Sequence, residues 1–549
     1  MKIELCQLNY HIGNFKSNSE KIISHITKSK KSGVDLIVFS ELSVCGYPPL
    51  DMLEQKDFIE GVKIHINKIA TLCDGIAAII GAPSINSNER GKNLFNSAYF
   101  LSEGKITFIQ NKTLLPTYDI FDEYRYFEPN TQFSTINYKG KKIAITICED
   151  LWDNQPVENS FAKSKIYVDS PMEHLIKENP DLIINIAASP FSYNHCNNRA
   201  VVLQENAVKY NLPIIYVNQI GANTELIFDG GSMVINSKGE IVKQLKYFEE
   251  DSTIININEI NHFKSLIKTE PDYIEKIHDA LILGIKDYFQ KTGFSKAVLG
   301  LSGGIDSALV LTLAVKALGN ENVRVLLMPS KYSSDHSIND AVKLAKKLNI
   351  KFEIIPIQPS VDSVVYGLKN SFSGLSEDVT EENIQARIRG ILLMAISNKF
   401  GNILLNTTNK SEAAVGYGTL YGDMNGGLSI LGDVYKSDVY KLANFINKDS
   451  EIIPLNTISK PPSAELKPDQ KDTDSLPEYD VLDKILYNFI EQKKSIQEIS
   501  DLEFDNNLVM KIASMVIRNE YKRFQAPPIL RVSSKAFGIG RRYPIVAKY

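Results

Sequence analysis

From Ala297 onward the chain alternates short apolar runs with helical stretches. Segments 296–301, 323–329, 352–357 and 402–407 read as strands, and 306–318, 334–348 and 381–400 as helices, with a loop before the last helix. Strands that alternate with helices of this length pack as a parallel, doubly wound sheet, because each crossover helix returns the chain to the same end. Ligands of such sheets bind beyond the carboxyl ends of the strands. The first turn of the series, Ser302-Gly303-Gly304-Ile305-Asp306-Ser307, would lie there. It can present consecutive backbone N–H groups at a helix start, which makes a cradle for an anion. The lysine of a Walker loop is missing. Ser302 and Ser307 add hydroxyl donors, and Asp306 beside phosphate calls for a Mg²⁺ ion. The same residues also read as a plain turn in which Ser and Asp cap the helix.

With 549 residues the chain is too long for one core, so at least two domains are expected. Before about 260 the pattern differs. Apolar runs such as KIELCQLN, VDLIVFSEL, AAIIGAPSI, KIAITICED, DLIINIAAS and LPIIYVNQI are interspersed with helical stretches, and NSKGE at Asn236–Glu240 reads as a hairpin turn. Many strands with interspersed helices imply a layered α/β architecture. The polar segment 263–275 reads as a linker between a domain at 1–262 and another at 276–549. The Pro-rich stretch Ser459–Tyr479 is long enough to be a functional loop or a disordered one.

The net charge of −4 argues against a nucleic-acid surface. No run is long enough to span a bilayer, and the first residues do not resemble a cleaved signal. The five cysteines, Cys6, Cys45, Cys73, Cys148 and Cys196, form no CxxC pair, so no zinc ribbon or disulfide framework is expected. The expected setting is the cytoplasm.

Three pieces of the first half carry reactive types: FSELSVCGYPP with Glu41, FIQNKTLLPTYDIFDEYRYF with Lys112, and ITICEDLWD with Cys148. Each residue ends or follows a predicted strand, so the three can converge at one edge of a layered sheet. A thiolate attacks carbonyl carbon, and a buried cation such as Lys112 is expected to lower the pKa of Cys148. Glu41 can take the thiol proton and return it, and the ammonium can stabilise an oxyanion. The alternative is an inert cysteine ending a core strand. Cys45 lies in a Gly-Pro turn and is read as structural.

Two resemblances cover almost the whole chain. SGGIDS matches the PP-loop of ATP pyrophosphatases, and within that group residues 276–549 resemble NAD synthetases. The matching runs include MPSKYSS, ENIQARIRG, TTNKSE, GYGTLYGDMNGG, GDVYKSDVY, PPSAELKPDQKDTDSLPEYD and YKRFQAPPILRVSSKAFGIGRR. The resemblance implies that Gly300, Leu301, Ser302, Gly303, Gly304, Ile305, Asp306 and Ser307 hold ATP phosphates, with Thr407, Lys436 and Ser463 also serving ATP. It implies Mg²⁺ at Asp306 and Glu412, and deamido-NAD at Asn383, Glu412, Asp423 and Lys522. Leu420 stands where ammonia-dependent relatives carry a lysine. Glu41, Lys112 and Cys148 in their order and context resemble the triad of the nitrilase/carbon–nitrogen hydrolase family. LPTYDIFDEYRYF is similar to the glutaminase domain of the glutamine-dependent branch. Tyr118, Glu149 and Ser189 then match glutamine-holding positions, and His195 stands where the family usually has lysine or arginine.

The implied fold is a four-layer α-β-β-α sandwich followed by a doubly wound parallel sheet. The implied activity is amidation of deamido-NAD to NAD, with ATP as co-substrate and ammonia taken from L-glutamine. A protected passage for the ammonia and a homo-oligomeric state are expected with it; a nucleic-acid or membrane partner is not. Another carboxylate as acceptor, as in GMP synthetase, is the alternative. A tRNA-modifying PP-loop enzyme is disfavoured by the charge and the missing CxxC.

Overall fold

The computed structural model describes residues 1–154, 167–193, 195–266, 271–468 and 470–548, with the backbone alone at 195–197. It divides into two compact units, Met1–Glu270 and Pro271–Tyr549.

The first unit opens with β1 (Lys2–Gln7), α1 (Phe15–Lys31), β2 (Leu36–Val38), α2 (Lys56–Ala70), β3 (Ala77–Ile85), β4 (Leu94–Ser102) and β5 (Lys105–Asn111). It continues with β6 (Ile136–Tyr138), β7 (Lys141–Ile147), α3 (Pro171–Leu175), β8 (Leu182–Ala187), α4 (His195–Tyr210) and β9 (Ile214–Asn218). The strands β10 (Ile220–Asn223), β11 (Leu226–Asp229), β12 (Met233–Ile235), β13 (Ile241–Gln244) and β14 (Asp251–Asn256) complete it. Two six-stranded sheets result, ordered β14-β1-β2-β3-β4-β5 and β13-β12-β9-β8-β7-β6, with β10 and β11 paired separately. The centre of each sheet is parallel, β1–β2–β3 and β7–β8–β9, and the flanking pairs are antiparallel. The NSKGE turn joins β12 to β13, with Asn236 N–H donating to Glu240 O at 3.0 Å.

Side-chain alternation builds the layers. Ile3, Leu5, Val38 and Ile79 of the first sheet meet Ile145, Ile147 and Ile184 of the second. The residues between them, Cys6, Ile37, Ala78 and Ile80, meet Ile22 and Ile26 of α1 and Val62 and Ile66 of α2. Leu203 and Ala207 of α4 belong to the core of the second sheet. The unit is therefore the expected α-β-β-α sandwich, and burial on both faces is why its central strands read as unbroken apolar runs.

The topology puts reactive residues together. β5 runs in the direction of β2, so Glu41 and Lys112 leave one edge of the first sheet. Parallel β7 and β8 deliver Cys148 and Ala188 to one edge of the second. A glycine makes the first of these paths: a Cβ on Gly81 would lie 2.6 Å from Glu41 Cα and 2.3 Å from Leu42 N. The Glu41 backbone thus crosses β3 at a distance that no other residue would permit.

The second unit starts with α5 (Tyr273–Thr292) and then alternates β15 (Ala297–Gly300), α6 (Ile305–Leu318), β16 (Val323–Leu327), α7 (Asp335–Lys347) and β17 (Lys351–Ile354). Then come α8 (Gln358–Leu368), α9 (Val379–Phe400), β18 (Ile403–Asn406), α10 (Lys410–Val415), β19 (Leu428–Ser429) and α11 (Lys436–Ile446). All five strands are parallel, in the order β17-β16-β15-β18-β19, which is the doubly wound sheet expected. One expectation is corrected: the segment before α9 is not all loop but contains α8. Val361, Val365 and Leu368 of that helix pack on the sheet core at helical spacing, and Pro359 occupies a first-turn position.

Behind the sheet, α10 packs with Tyr479–Ile490 and Asn506–Arg518 in a separate apolar cluster. Lys410, the lysine of TTNKSE, is fully buried there, 2.9 Å from both Asp433 and Glu491 and donating to Ser533 Oγ at 2.7 Å. Its role is to tie the C-terminal segment to α10. Among the described residues no helix is long and apolar enough to cross a membrane.

Candidate active sites

In the first unit, Lys112 Nζ donates to Glu41 Oε1 at 2.7 Å and to Glu123 Oε1 at 2.9 Å. All three side chains are buried. Glu41 has its other contacts filled as well: Asn96 Nδ2 donates to Oε1 at 2.7 Å and Ala188 N–H to Oε2 at 2.9 Å. That last bond joins the edges of the two sheets. Burial pushes Glu123 up to about 7, with Lys112 opposing and Glu41 adding to the rise.

Cys148 follows β7 directly and has φ +44°, a left-handed conformation that is strained for a side chain with a Cβ. Asp150 fixes this turn. Its Oδ2 accepts from Ile147 N–H at 3.0 Å, and its Oδ1 accepts from Thr113 and Leu114 N–H at 3.0 and 2.9 Å. One carboxylate therefore ties the segment after Lys112 to the segment holding Cys148. The expected downward pull of Lys112 on the thiol pKa is present but outweighed. Burial and then Glu41 push the Cys148 thiol well up, and Lys112 only opposes them. The resting group is a thiol beside carboxylates, so attack requires a base.

Tyr118 and Glu149 are brought together: the phenol donates to Glu149 Oε1 at 2.8 Å, as does Tyr167. Burial raises the Glu149 pKa. Ser189 is buried next to Ala188, and its N–H donates to Asn218 Oδ1 at 2.9 Å. The side chain of His195 lies outside the described residues. Glu123, Asn96 and Asp150 were missed in the sequence. Glu123 and Asp150 sit inside the quoted runs, but nothing local marks a third carboxylate as a partner for a lysine eleven residues earlier. Cys45 is buried, its thiol facing Leu42 O and Gly46 O, and burial holds it protonated.

In the second unit a cavity of about 310 Å³ opens beyond the carboxyl ends of β15, β16 and β18. Gly300, Leu301, Ser302, Gly304, Ile305, Asp306, Ser307, Thr407, Glu412, Asp423, Lys436 and Ser463 all line it. Gly303 does not. Its φ is +82°, and a Cβ there would lie 2.2 Å from Ser337 O, so the turn packs its second glycine against the start of α7. The turn is braced internally: Ser302 Oγ lies 3.1 Å from Ser307 Oγ, and Gly304 N–H donates to Ser302 Oγ at 3.2 Å.

The lysine absent from the turn arrives from α11. Lys436 Nζ donates to Asp306 Oδ2 at 2.5 Å and lies 3.4 Å from Glu412 Oε1, while Asn409 Nδ2 donates to Asp306 Oδ1 at 2.9 Å. Burial pushes Glu412 up to about 8; Lys436 opposes this, and the charges of Asp306 and Asp472 add to it. Asp472 also accepts from Tyr417 and Tyr479 at 3.1 and 2.9 Å. Ser463 donates its hydroxyl to Gln470 O at 2.5 Å and accepts from Glu465 N–H at 3.1 Å, so the polar stretch folds over the cavity wall.

Asn383 and Lys522 do not line the cavity. They meet Asp423 at the adjoining loop: Thr419 donates its hydroxyl to Asn383 Oδ1 and its N–H to Asp423 Oδ1, both at 2.7 Å. Lys522 Nζ donates to Gly416 O at 2.7 Å and Gly418 O at 2.8 Å. Arg389, Glu465 and Asp472 line the cavity and were missed individually, although each stands in a quoted run.

Comparison with known proteins matches both units. Residues 2–261 match the carbon–nitrogen hydrolase family and residues 277–526 the NAD synthase family. A glutamine-dependent NAD(+) synthetase of Synechocystis is 45% identical over 555 aligned residues, covering 100% of this chain and 99% of the relative. One from Thermotoga maritima is 39% identical, again over 100% of this chain and 99% of the relative. The structure of the Acinetobacter baumannii glutamine-dependent NAD+ synthetase with ADP superposes with a TM-score of 0.76 at 38% identity, covering 99% of this chain and 98% of that one. A Cytophaga hutchinsonii structure shares the fold, with a TM-score of 0.83 at 19% identity over 100% and 98% of the two chains.

Proposed function

The chain belongs to the glutamine-dependent NAD(+) synthetase family, and on that premise we propose how its two units divide the work. The overall reaction amidates deamido-NAD to NAD at the expense of ATP, with nitrogen from L-glutamine and release of AMP, pyrophosphate and L-glutamate. The observation that carries the division is one centre in each unit: a closed Glu41–Lys112–Glu123 group beside Cys148, and a cavity walled by Gly300–Ser307 with Asp306, Glu412 and Lys436.

In the first centre Glu41 takes the proton of the Cys148 thiol as sulfur attacks the carboxamide carbon of glutamine. Lys112 lends its positive charge to the tetrahedral oxyanion. Glu41 returns the proton to the departing nitrogen, so ammonia leaves and a thioester remains. Water, deprotonated by the same carboxylate, then releases glutamate and restores the thiol. Tyr118, Glu149 and Ser189 hold the substrate, and Asp150 keeps the Cys148 and Lys112 segments in register.

In the second centre the N–H groups of the Gly300–Ser307 turn receive the ATP phosphates, with Thr407, Lys436 and Ser463 around them. Asn383, Asp423 and Lys522 orient deamido-NAD, together with Glu412. The nicotinate carboxylate of deamido-NAD attacks the α-phosphorus of ATP, pyrophosphate leaves whole, and ammonia displaces AMP from the resulting acyl-adenylate to give NAD. The residues fit a Mg²⁺ ion, because Asp306, Glu412 and Asp472 set three carboxylates against the one ammonium of Lys436. Asp306 and Glu412 would hold it, and the ion would neutralise charge on the departing pyrophosphate. The same reading makes the protein a cytoplasmic homo-oligomer, which light scattering and cell fractionation test.

The decisive experiment is Cys148→Ala assayed with glutamine and, separately, with ammonium. Glutamine-dependent NAD formation should fall by at least about 10³-fold while the ammonium-dependent rate stays within about twofold. Survival of both rates would remove Cys148 from the nucleophile's role. ADP in place of AMP among the products would overturn the second centre.

A further inference from the structure

We propose that Glu4, Cys6 and His25 form a binding site for one transition-metal cation of the zinc class, within the first unit and using no residue of either reaction centre. Glu4 and Cys6 are alternate residues of β1, so both side chains leave the same face of the sheet. That face is covered by α1, which carries His25. One ligand atom from each of the three lies within 4.8 Å of the others. Cys6 Sγ is 3.6 Å from His25 Nδ1 and 3.7 Å from Glu4 Oε1.

Those spacings are the argument. Around a tetrahedral zinc ion, with bonds of about 2.3 Å to sulfur and about 2.0–2.1 Å to nitrogen or oxygen, sulfur lies about 3.6 Å from each neighbouring ligand atom. The cluster already holds both sulfur edges at that length. Its ligand types select for a borderline or soft cation over Mg²⁺ or Ca²⁺, which take oxygen alone. Thiolate and carboxylate balance a divalent charge and imidazole adds none, so the buried complex is neutral and escapes the cost of an unpaired buried ion. Ser29 Oγ donates to Glu4 Oε2 at 2.5 Å, which turns Oε1 toward the sulfur, as an outer partner of a metal ligand does. Three protein ligands leave the fourth position to water. Binding forms the metal–sulfur bond and releases the Cys6 thiol proton to solvent, with no change of oxidation state.

The test uses the full chain carrying Cys148→Ala, so that the thiol of the reaction centre does not compete. Co²⁺ is titrated and followed by absorption, with Zn²⁺ as competitor. One saturable thiolate-to-cobalt band per chain is expected, abolished by Cys6→Ser and kept by Cys73→Ser, whose thiol is also buried. His25→Ala, at a half-buried position, should weaken Co²⁺ binding at least about tenfold. It should also remove the rise in melting temperature caused by Zn²⁺, with ammonium-dependent NAD formation unchanged. Absence of a saturable band in the parent, a band that survives Cys6→Ser, or unaltered affinity in His25→Ala would each overturn the site.

Discussion

Each unit sets one lysine between two carboxylates, and the two clusters differ in how far water reaches them. Lys112 sits 2.7 Å from Glu41 and 2.8 Å from Glu123, with side-chain exposures of 0%, 1% and 6%. Lys436 sits 2.5 Å from Asp306 but 3.4 Å from Glu412, and its partners are each 17% exposed on a cavity wall. The first cluster is closed: its groups are shielded from water and its geometry is set before any substrate arrives. The second is open and lopsided. Its ammonium is a placeholder facing a space that anionic phosphates and a cation can enter. A small neutral amide needs a prearranged base and counter-charge, whereas a triphosphate brings charge that the site must be able to rearrange around.

The sharpest break of this comparison is to remove each lysine. Lys112→Met should abolish glutamine-dependent turnover and destabilise the first unit by about 3–5 kcal/mol, because two buried carboxylates lose their counter-ion. Lys436→Met should instead lower NAD formation from either nitrogen source, with a smaller loss of stability. Urea unfolding of both variants checks this, and equal destabilisation would mean the clusters are not different in kind.

Next in size, Asp306→Asn should lower ammonium- and glutamine-dependent NAD formation together by about 10²-fold, with glutamine hydrolysis still measurable. A rate unaffected with ammonium would separate Asp306 from the second centre. The smallest effect is a pH limb. Burial pushes Glu123 up to about 7, and its ionised carboxylate is one of the two that position the Lys112 ammonium. As pH falls through about 7, Glu123 takes up a proton and the Lys112 ammonium loses one of the two carboxylates that position it. The glutamine-dependent rate, normalised to the ammonium-dependent one, should then fall about tenfold. Glu123→Gln should start at the lower rate and lose that limb; a limb that persists in the variant would assign it to another group.

Much of this was legible in residue order. The βα rhythm after Ala297 required a parallel sheet, and SGGIDS between a strand and a helix placed a cradle at its carboxyl edge. Helix α8 reads as loop in the sequence, because Gly367 and the β-branched valines blur the helical spacing of Val361, Val365 and Leu368. The partners of the reactive groups were not legible. Glu123, Asn96 and Asp150 are ordinary residues until β2, β5 and β7 end at neighbouring edges and bring them within hydrogen-bond reach. Lys436 was named from the family resemblance, but its contact with Asp306, 130 residues away along the chain, is set by the fold.

The sequence by itself determined the two folds, the reactive residue types and the order in which they occur, because those depend on local periodicity and on turns that only certain residues can make. The tertiary structure decided their protonation and their partners. Sequence reasoning expected Lys112 to lower the Cys148 pKa, but desolvation and the charge of Glu41 outweigh that pull and leave a thiol that needs Glu41 as its base. Both effects depend on which distant groups share a dry space, and only packing sets that.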